Sequence, residues 1–287
     1  MTHPFTQYVQ QFVKLREDAR TLVPGDLPPP PAPRLMDNAP RVLVFAPHPD
    51  DEAITGALPL RLRRELGHRV CVVAVTQGSR VERQTERLQE MYGSCRFLGF
   101  ELITTRQNGL AAVNPRTRAG HPAGWAEGVA TLAQIISYHR PASIFVPHEQ
   151  DWNSTHVGTH LMVVDALRTL GPAFRCRIVE TEFWRALADP NLMIGSSPQE
   201  VGDLVAALAF HAGEVARNPY HLSLPSWMSD NVRRGAELVG GQGEAAPSWP
   251  FATLYRVRDW TEGGFAPCLR TGRLLGTEDD LGAVFKP

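Results

Sequence analysis

The sequence predicts an α/β protein: a Rossmann-like three-layer fold with a mostly parallel sheet, an N-terminal helix and a C-terminal extension. Short apolar runs rich in β-branched residues alternate with segments of helical periodicity, and the clearest runs are residues 42–46, 69–76 and 143–147. Strands of this composition are typically buried on both faces of a parallel sheet. The first and third runs lead directly into polar clusters, as expected where ligands bind beyond the carboxyl ends of the strands.

Residues 1–39 are predicted to form an appendage. Apolar residues recur at helical spacing in residues 5–22, and the proline-dense segment 23–34 that follows must be extended. We expect this helix and strap either to pack on the domain or to contact another subunit of a homo-oligomer, and the sequence leaves both open. Residues 40–217 are predicted to be the main α/β domain, and residues 218–287 an extension packed on it.

The loop after the first strand carries the first chemical cluster. It reads His48-Pro-Asp50-Asp51-Glu52, and histidine with aspartate suits zinc, whose catalytic sites use about three protein ligands and keep one position for water. If Asp51 binds metal, Asp50 is free to act as a general base toward the bound water. Alternatively, both aspartates only cap the helix that begins near Ala53. The preceding strand and the His-Pro pair favour the catalytic interpretation.

Residues 46–52, Ala-Pro-His-Pro-Asp-Asp-Glu, resemble the signature of the PIG-L (LmbE-like) family of zinc-dependent deacetylases, which typically act on N-acetylglucosaminyl compounds. The resemblance implies that His48 and Asp51 bind zinc and that Asp50 is the general base. The motif is specific because a strand, the His-Pro-Asp-Asp-Glu sequence and a helix must occur in that order.

Residues 53–66 are predicted to be a helix that, with the strand 69–76, completes a βαβ unit with a right-handed crossover. The resemblance places Arg87 and Glu90 in an R-x-x-E element and implies that Arg87 reaches substrate. A solvated pair three residues apart would explain the same spacing. The long loop of residues 108–124 is predicted to be a substrate lid.

The second polar cluster follows the strand 143–147 and runs into a predicted helix, residues 161–170. It contains His156 and His160, which are four residues apart and would share one face of a helix, so either could complete a metal site. Against the family pattern D-x-H-x-x-H, the resemblance implies that His156 is the third zinc ligand.

The same pattern puts Asn153 where the family has a histidine that polarises the substrate carbonyl. Asparagine can donate a hydrogen bond to an oxyanion but cannot carry a positive charge. His160 or His148 is therefore an alternative source of that charge, and stabilisation by the metal alone is a further possibility.

The C-terminal half continues the alternation of strand and helix. Residues 174–184 are predicted to be a strand, residues 198–216 a helix, and residues 251–258 a final strand before an irregular tail. The glycine-rich residues 240–244 are predicted to be a flexible turn. His211 falls late in the predicted helix, where the resemblance implies an approach to the substrate, and a surface histidine is the alternative.

Composition narrows the function classes. The chain has 287 residues and a formal net charge of −1, which does not indicate electrostatic attraction to nucleic acid or anionic membranes. It contains no stretch of about 18 apolar residues that would predict a membrane span, and its first residues lack the pattern of a secretory signal. The four cysteines lack C-x-x-C spacing, which is typical of reduced core residues. We therefore expect a cytoplasmic protein.

The predicted function is that of a zinc-dependent hydrolase, with another divalent metal possible, that removes an N-acetyl group from a small sugar-like substrate or glycoconjugate. A nucleotide-dependent oxidoreductase would need a G-x-G-x-x-G motif after the first strand, where this chain has carboxylates. A metal or glycan binding protein without turnover is the second alternative, and Asn153 keeps it open. The sequence does not identify the acylated substrate.

Overall fold

The structure is a computed structural model that describes residues 3–22 and 27–286. A nine-stranded sheet lies between helices in this part of the chain. The strands are β1 (Arg41–Ala46), β2 (Arg69–Ala74), β3 (Glu101–Thr104), β4 (Ser143–Pro147), β5 (Cys176–Thr181), β6 (Leu192–Ser196), β7 (Phe251–Thr261), β8 (Gly264–Pro267) and β9 (Arg273–Leu275). The helices are α1 (Pro4–Ala19), α2 (Asp51–Ile54), α3 (Ala57–Arg64), α4 (Gln84–Leu98), α5 (Pro115–Gly120), α6 (Pro122–His139), α7 (Ser154–Thr169), α8 (Pro198–Ala209), α9 (Ala212–Arg217), α10 (Leu224–Gly235) and α11 (Gly282–Phe285).

The sheet is mostly parallel, as predicted. Its strand order is β3-β2-β1-β4-β5-β7-β6-β9, with β8 paired to β7. The first five of these strands are parallel to one another, whereas β7 is antiparallel to both β5 and β6. The chain leaves β1 toward β2 on one side, and β4 lies on the other side. This reversal of strand order is where a crevice forms in an open α/β sheet.

The two faces of β1 belong to two separate hydrophobic cores. Val42, Val44 and Ala46 pack with the side chains of α3, α4 and α8, and Leu43 and Phe45 pack with those of α6 and α7. Because side chains alternate along a strand, a run that is apolar throughout must be covered on both faces. Helices therefore cover both faces of the sheet, which confirms the predicted three-layer fold.

Two predicted helices are interrupted. The segment 53–66 divides into α2 and α3 at Gly56, which has φ +91°, and a Cβ there would lie 2.5 Å from Oγ1 of Thr253. The close approach of β7 thus excludes a side chain at this position, and the positive φ ends the first helix. The segment 198–216 divides into α8 and α9 around His211, which is completely buried.

Several strand predictions were wrong in extent. The strand predicted over residues 174–184 is limited to β5, and β6 was not predicted at all. The predicted irregular tail contains β8 and β9, and the predicted lid contains α5 and the start of α6. Strands β6 and β9 pair with each other, and β6 also pairs with β7. These partners are distant in the sequence, so the pairing leaves no mark on the local sequence pattern. Strand β8 instead forms a hairpin with β7 across Glu262 and Gly263.

The C-terminal extension is part of the sheet. Its strand β7 lies between β5 and β6, so residues 218–287 share one sheet with residues 40–217. The predicted division of the chain into three segments stays a prediction.

The four cysteines are free, and three of them are buried.

Helix α1 is largely exposed. None of its residues is buried, and Nη2 of Arg16 donates a hydrogen bond to Oγ of Ser223 at 2.9 Å. Residues 23–26 of the predicted proline strap lie outside the described residues. None of the helices in residues 3–22 and 27–286 combines the length and apolar character needed to cross a membrane.

Candidate active site

A cleft of about 1110 Å³ opens at the carboxyl edge of the sheet, beyond the ends of β1 and β4. The loop after β1 and the start of α2 supply His48, Asp50 and Asp51, and the start of α7 supplies Asn153 and His156. The sheet topology thus brings together two polar clusters that are distant in the sequence. Further lining comes from residues 108–114 of the predicted lid and from Arg87, Trp184, Arg217, Tyr220 and Trp227.

The side chains of His48, Asp51 and His156 meet on one wall of this cleft. Oδ2 of Asp51 lies 3.5 Å from Nδ1 of His48 and 3.3 Å from Nε2 of His156, and one ligand atom from each residue lies within 4.8 Å of the others. Both ring nitrogens of His156 are buried without a hydrogen-bond partner, which is uncommon for buried polar atoms. Two imidazoles and a carboxylate around one point fit a divalent metal such as zinc.

Asp151 supports His156 from the side away from Asp51. Its Oδ1 lies 3.8 Å from Nδ1 of His156, and its two oxygens accept backbone N–H groups of Asn153 at 2.8 Å and of Trp184 at 3.1 Å. The ring of Phe183 packs edge-on against the imidazole, with 4.8 Å between centroids. A carboxylate behind a metal-binding histidine fixes the orientation of its ring.

Electrostatics at this wall favour an ionised Asp51. Burial alone would raise the pKa of Asp51, but the charges of His156 and His48 close to its carboxylate hold it well below its usual range. Burial lowers the pKa of His156, but the nearby charge of Asp51 outweighs it and the pKa is raised. A metal cation would therefore compete with a proton for His156, which makes metal binding dependent on pH.

Asp50 lies beside this group in a backbone conformation that is rare for residues other than glycine, with φ 118° and ψ −27°. The Tyr220 hydroxyl donates a hydrogen bond to Oδ2 of Asp50 at 2.6 Å, whereas the Asp50 side chain makes no capping hydrogen bond to α2. Burial, reinforced by the charge of Asp51, raises the pKa of Asp50 to about 7. A carboxylate with that pKa suits general base catalysis near neutral pH.

Arg87 lines the cleft and is tied to the loop that carries Asp50. Its Nη2 donates to the carbonyl oxygen of Pro49 at 2.8 Å and lies 3.9 Å from Oδ2 of Asp50. Its Nε lies 3.8 Å from Glu214, and it forms no ion pair with Glu90, which accepts the backbone N–H of Gly213 instead. The predicted contact of Arg87 with substrate is compatible with this position.

Of the three residues predicted as alternative sources of oxyanion stabilisation, only Asn153 lines the cleft among the described residues. Its Oδ1 accepts the backbone N–H of Thr155 and caps α7. Nδ1 of His160 bonds the carbonyl oxygen of Pro147 at 2.9 Å, and Nε2 of His148 bonds that of Arg185 at 2.8 Å. Both histidines therefore point into the protein.

His160 belongs to a second group of acidic and histidine side chains, with Glu149 and Glu180. Both oxygens of Glu180 accept hydrogen bonds from Arg256 at 2.6 and 2.8 Å, and Oε1 also accepts one from Arg258 at 2.6 Å. Guanidinium groups thus already occupy the positions that a cation would need, so this group is an ion-pair network rather than a metal site.

His211 does not reach the cleft, in contrast to the prediction that it binds substrate. It is completely buried and is absent from the described lining, and its Nε2 donates to Oε1 of Glu52 at 2.7 Å. Sequence reasoning missed the buried partner Glu52 and the hydrogen bond from Tyr220 to Asp50. Glu52 was visible as the last residue of the motif, but nothing in the local pattern of Tyr220 marked its contact.

Comparison with known proteins is consistent with the motif. Residues 43–167 match the family model described as PIG-L, GlcNAc-PI de-N-acetylase, and no curated protein matches the chain. Among solved structures, the chain is similar to N,N'-diacetylchitobiose deacetylase from Pyrococcus horikoshii complexed with its inhibitor MPG, with 16% identity and a TM-score of 0.57 over 92% of this chain and 95% of that one.

Two further structures share the fold. A conserved protein from Thermus thermophilus, TT1542, is 20% identical with a TM-score of 0.55, over 80% of this chain and 99% of that chain. GalB, the 4-carboxy-2-hydroxymuconate hydratase from Pseudomonas putida KT2440, is 15% identical with a TM-score of 0.55, over 76% of this chain and 95% of that chain. At these identities the similarity concerns the fold alone.

Proposed function

We propose, from the premise that residues 43–167 form a PIG-L family domain, that this protein is a metal-dependent hydrolase that removes an N-acetyl group from a sugar-like substrate. One observation carries the proposal: Asp50, with its raised pKa, lies in the same cleft as the three clustered side chains of His48, Asp51 and His156. A base and a metal site side by side are what hydrolysis of an unactivated amide requires.

His48, Asp51 and His156 would hold the metal, with zinc the first candidate. When bound, such a cation supplies a Lewis acid and lowers the pKa of a coordinated water. The Asp151 carboxylate, 3.8 Å from Nδ1, would orient the His156 ring through its charge. The pKa directions of Asp51 and His156 predict weaker metal retention in acid, where a proton occupies His156.

Asp50 is proposed to accept the proton of the attacking water and to return it to the leaving amine, so that the acyl C–N bond breaks to acetate and a free amine. The Tyr220 hydroxyl orients the Asp50 carboxylate from the cleft side. Asn153 is proposed to donate a hydrogen bond from its side-chain amide to the acyl oxygen, where negative charge develops. Arg87 would bind a polar group of the substrate.

The cleft favours a substrate larger than one sugar ring. Its volume of about 1110 Å³ exceeds the upper end of the range of pockets that bury drug-sized ligands, about 300–1000 Å³. Trp184 lines it although 62% of the residue is exposed, and flat aromatic faces pack well against the apolar faces of sugar rings. The deacetylase from P. horikoshii, named for an N,N'-diacetylated disaccharide, makes such a disaccharide a sensible first substrate to assay.

Asn153 favours a second candidate function, a metal or glycan binding protein without turnover. Without a positive charge at this position, the acyl oxygen receives a weaker hydrogen bond during reaction. This candidate predicts metal and sugar binding with no acetate release.

Metal analysis and acetate release separate the two candidates. We expect the purified protein to hold about one divalent ion per chain, to lose hydrolysis with a chelator and to regain it with zinc. The substrates would be N-acetylglucosamine, N,N'-diacetylchitobiose and other N-acetylated sugars, and acetate is measured directly because the same fold also occurs in a hydratase. Metal-loaded protein that binds these sugars but releases no acetate supports the second candidate. Protein that binds no metal contradicts the first candidate, and protein that binds neither metal nor sugar contradicts both.

A further inference from the structure

The backbone of Asp50 is strained. Among the described residues other than glycine, Ala112, Arg140 and Glu262 also have positive φ, but their values of 44–54° lie close to the ordinary left-handed region, whereas Asp50 has φ 118°. Such a conformation costs on the order of 1–3 kcal/mol and persists only where the surrounding structure enforces it. Contacts that enforce it are therefore part of how the proposed base is aimed.

One buried carboxylate makes such a contact. Oε2 of Glu52 accepts the backbone N–H of Asp50 at 2.9 Å, and Oε1 of the same side chain accepts Nε2–H of His211 at 2.7 Å. The side chains of Glu52 and His211 are both completely buried. Glu52 thus links the strained peptide to a residue from the C-terminal half of the chain.

His211 is itself held rigidly by the two helices on either side of it. Its backbone N–H donates to the carbonyl oxygen of Leu208 at 3.0 Å, and its own carbonyl accepts N–H groups of Glu214 and Val215, each at 3.0 Å. A buried carboxylate without a partner is strongly destabilising. His211 is therefore the group that allows Glu52 to remain ionised in the core beneath Asp50.

We propose that Glu52 and His211 are positioning residues that lock Asp50 in its positive-φ conformation and thereby aim its carboxylate into the cleft. This inference rests on the proposed function for the role of Asp50 as a base. Arg87 and Tyr220 hold the same loop from the cleft side, and the buried pair holds it from the core side. Without the pair, the Asp50 peptide relaxes to negative φ and its carboxylate turns away.

Replacing Glu52 with leucine tests the proposal, because leucine keeps the bulk and removes the acceptor for both partners. Misplacement of a catalytic group by about 1 Å can reduce the rate about 100-fold, so we expect kcat to fall by about that factor. KM should change by less than about threefold, because the pair does not touch the cleft. The metal content should equal that of the wild type, and a crystal structure should show negative φ at Asp50.

Glu182 provides a matched control for loss of stability. It is also buried, and its Oε1 accepts Nη2–H of Arg234 at 2.7 Å and the backbone N–H of Leu187 at 2.7 Å. Glu182→Leu removes the same kind of bridge between a cation and a peptide N–H. We expect it to lower the Tm about as much as Glu52→Leu does, with kcat retained within about threefold.

The conservative variant Glu52→Gln should restore most of the activity, because its carbonyl oxygen can accept the Asp50 N–H while its amide donates to a neutral His211. His211 is proposed to act on Asp50 only through Glu52. The double variant Glu52→Leu/His211→Phe should therefore have a kcat no lower than that of Glu52→Leu alone.

Three outcomes would overturn the inference. They are normal kcat in folded, metal-loaded Glu52→Leu, an equal loss of kcat in Glu182→Leu, and loss of metal from Glu52→Leu, which would assign the pair to Asp51 instead. If the wild type itself releases no acetate, the proposed function fails, and φ of Asp50 in the Glu52→Leu crystal structure then decides alone whether the pair is a backbone lock.

Discussion

The hydrogen bond from Tyr220 to Asp50 makes a quantitative prediction about pH. The Tyr220 hydroxyl lies 2.6 Å from Oδ2 of Asp50 and lowers the pKa of Asp50, although burial and the charge of Asp51 outweigh this contact and raise that pKa to about 7. The proposed base works only when ionised, so activity is lost as the pH falls through this pKa. Tyr220→Phe removes a contact that favours the ionised form, and we expect the loss to begin at higher pH.

The size of the shift follows from the energies of the two hydrogen bonds. A hydrogen bond to an ionised group contributes about 1.5–3 kcal/mol, and one to a neutral group about 0.5–1.5 kcal/mol. The difference of about 1–1.5 kcal/mol corresponds to about one pKa unit, because one unit equals about 1.36 kcal/mol. A bound divalent cation lowers the pKa of Asp50 in both proteins, so the difference between them is the quantity to measure.

The assay is the pH profile of kcat/KM for acetate release by the metal-loaded wild type and Tyr220→Phe. We expect the acid limb to move up by about one pH unit, so that activity well below the limb falls about tenfold. Tyr255→Phe is the control, since it removes a buried hydroxyl that donates to the carbonyl of Thr55 at 2.8 Å and should lower stability without moving the limb. If kcat/KM falls at the same pH in Tyr220→Phe and in the wild type, the assignment of Asp50 as the base is refuted.

The remaining predictions concern the metal site, the base and the cleft rim. His156→Ala should lose the metal while His160→Ala retains it, as measured by elemental analysis of dialysed protein, and the reverse result would move the third ligand to His160. Asp50→Asn should keep the metal and lose turnover by a factor of about 10²–10⁴, and an active variant would require another base. Trp184→Ala should raise KM for N,N'-diacetylchitobiose more than for N-acetylglucosamine. Trp152→Ala removes a similarly exposed indole that does not line the cleft and should leave both values unchanged, so equal effects of the two variants would exclude sugar stacking on Trp184.

The local sequence was sufficient to predict the position of the first polar cluster. A buried strand, the His48-to-Glu52 motif and a helix are contiguous in the chain, so their order in space follows from their order in sequence. The second cluster was also readable, because Asn153 and His156 follow β4 as His48 follows β1. That the two clusters line one cleft follows from parallel strands that end at the same edge of the sheet.

The roles of His156 and His160 could not be predicted from the local sequence. His156 and His160 share one helix, and the spacing alone allowed either to face the cleft. In the folded protein His156 faces Asp51, whereas His160 faces the backbone of Pro147 and the carboxylate of Glu180. A helical stripe tells which residues share a face, but only the neighbouring elements decide what that face meets.

The sequence by itself determined the α/β class, the mostly parallel sheet and the two loops that bear chemistry, because hydrophobic periodicity and motif order are local properties of the chain. Only the tertiary structure decided that β7 lies inside the sheet, that Gly56 divides the first helix, and that Tyr220 and His211 converge on Asp50 and Glu52 from the C-terminal half. These contacts join residues far apart in the chain, and their partners are selected by the packing of whole elements rather than by any pattern of neighbouring residues.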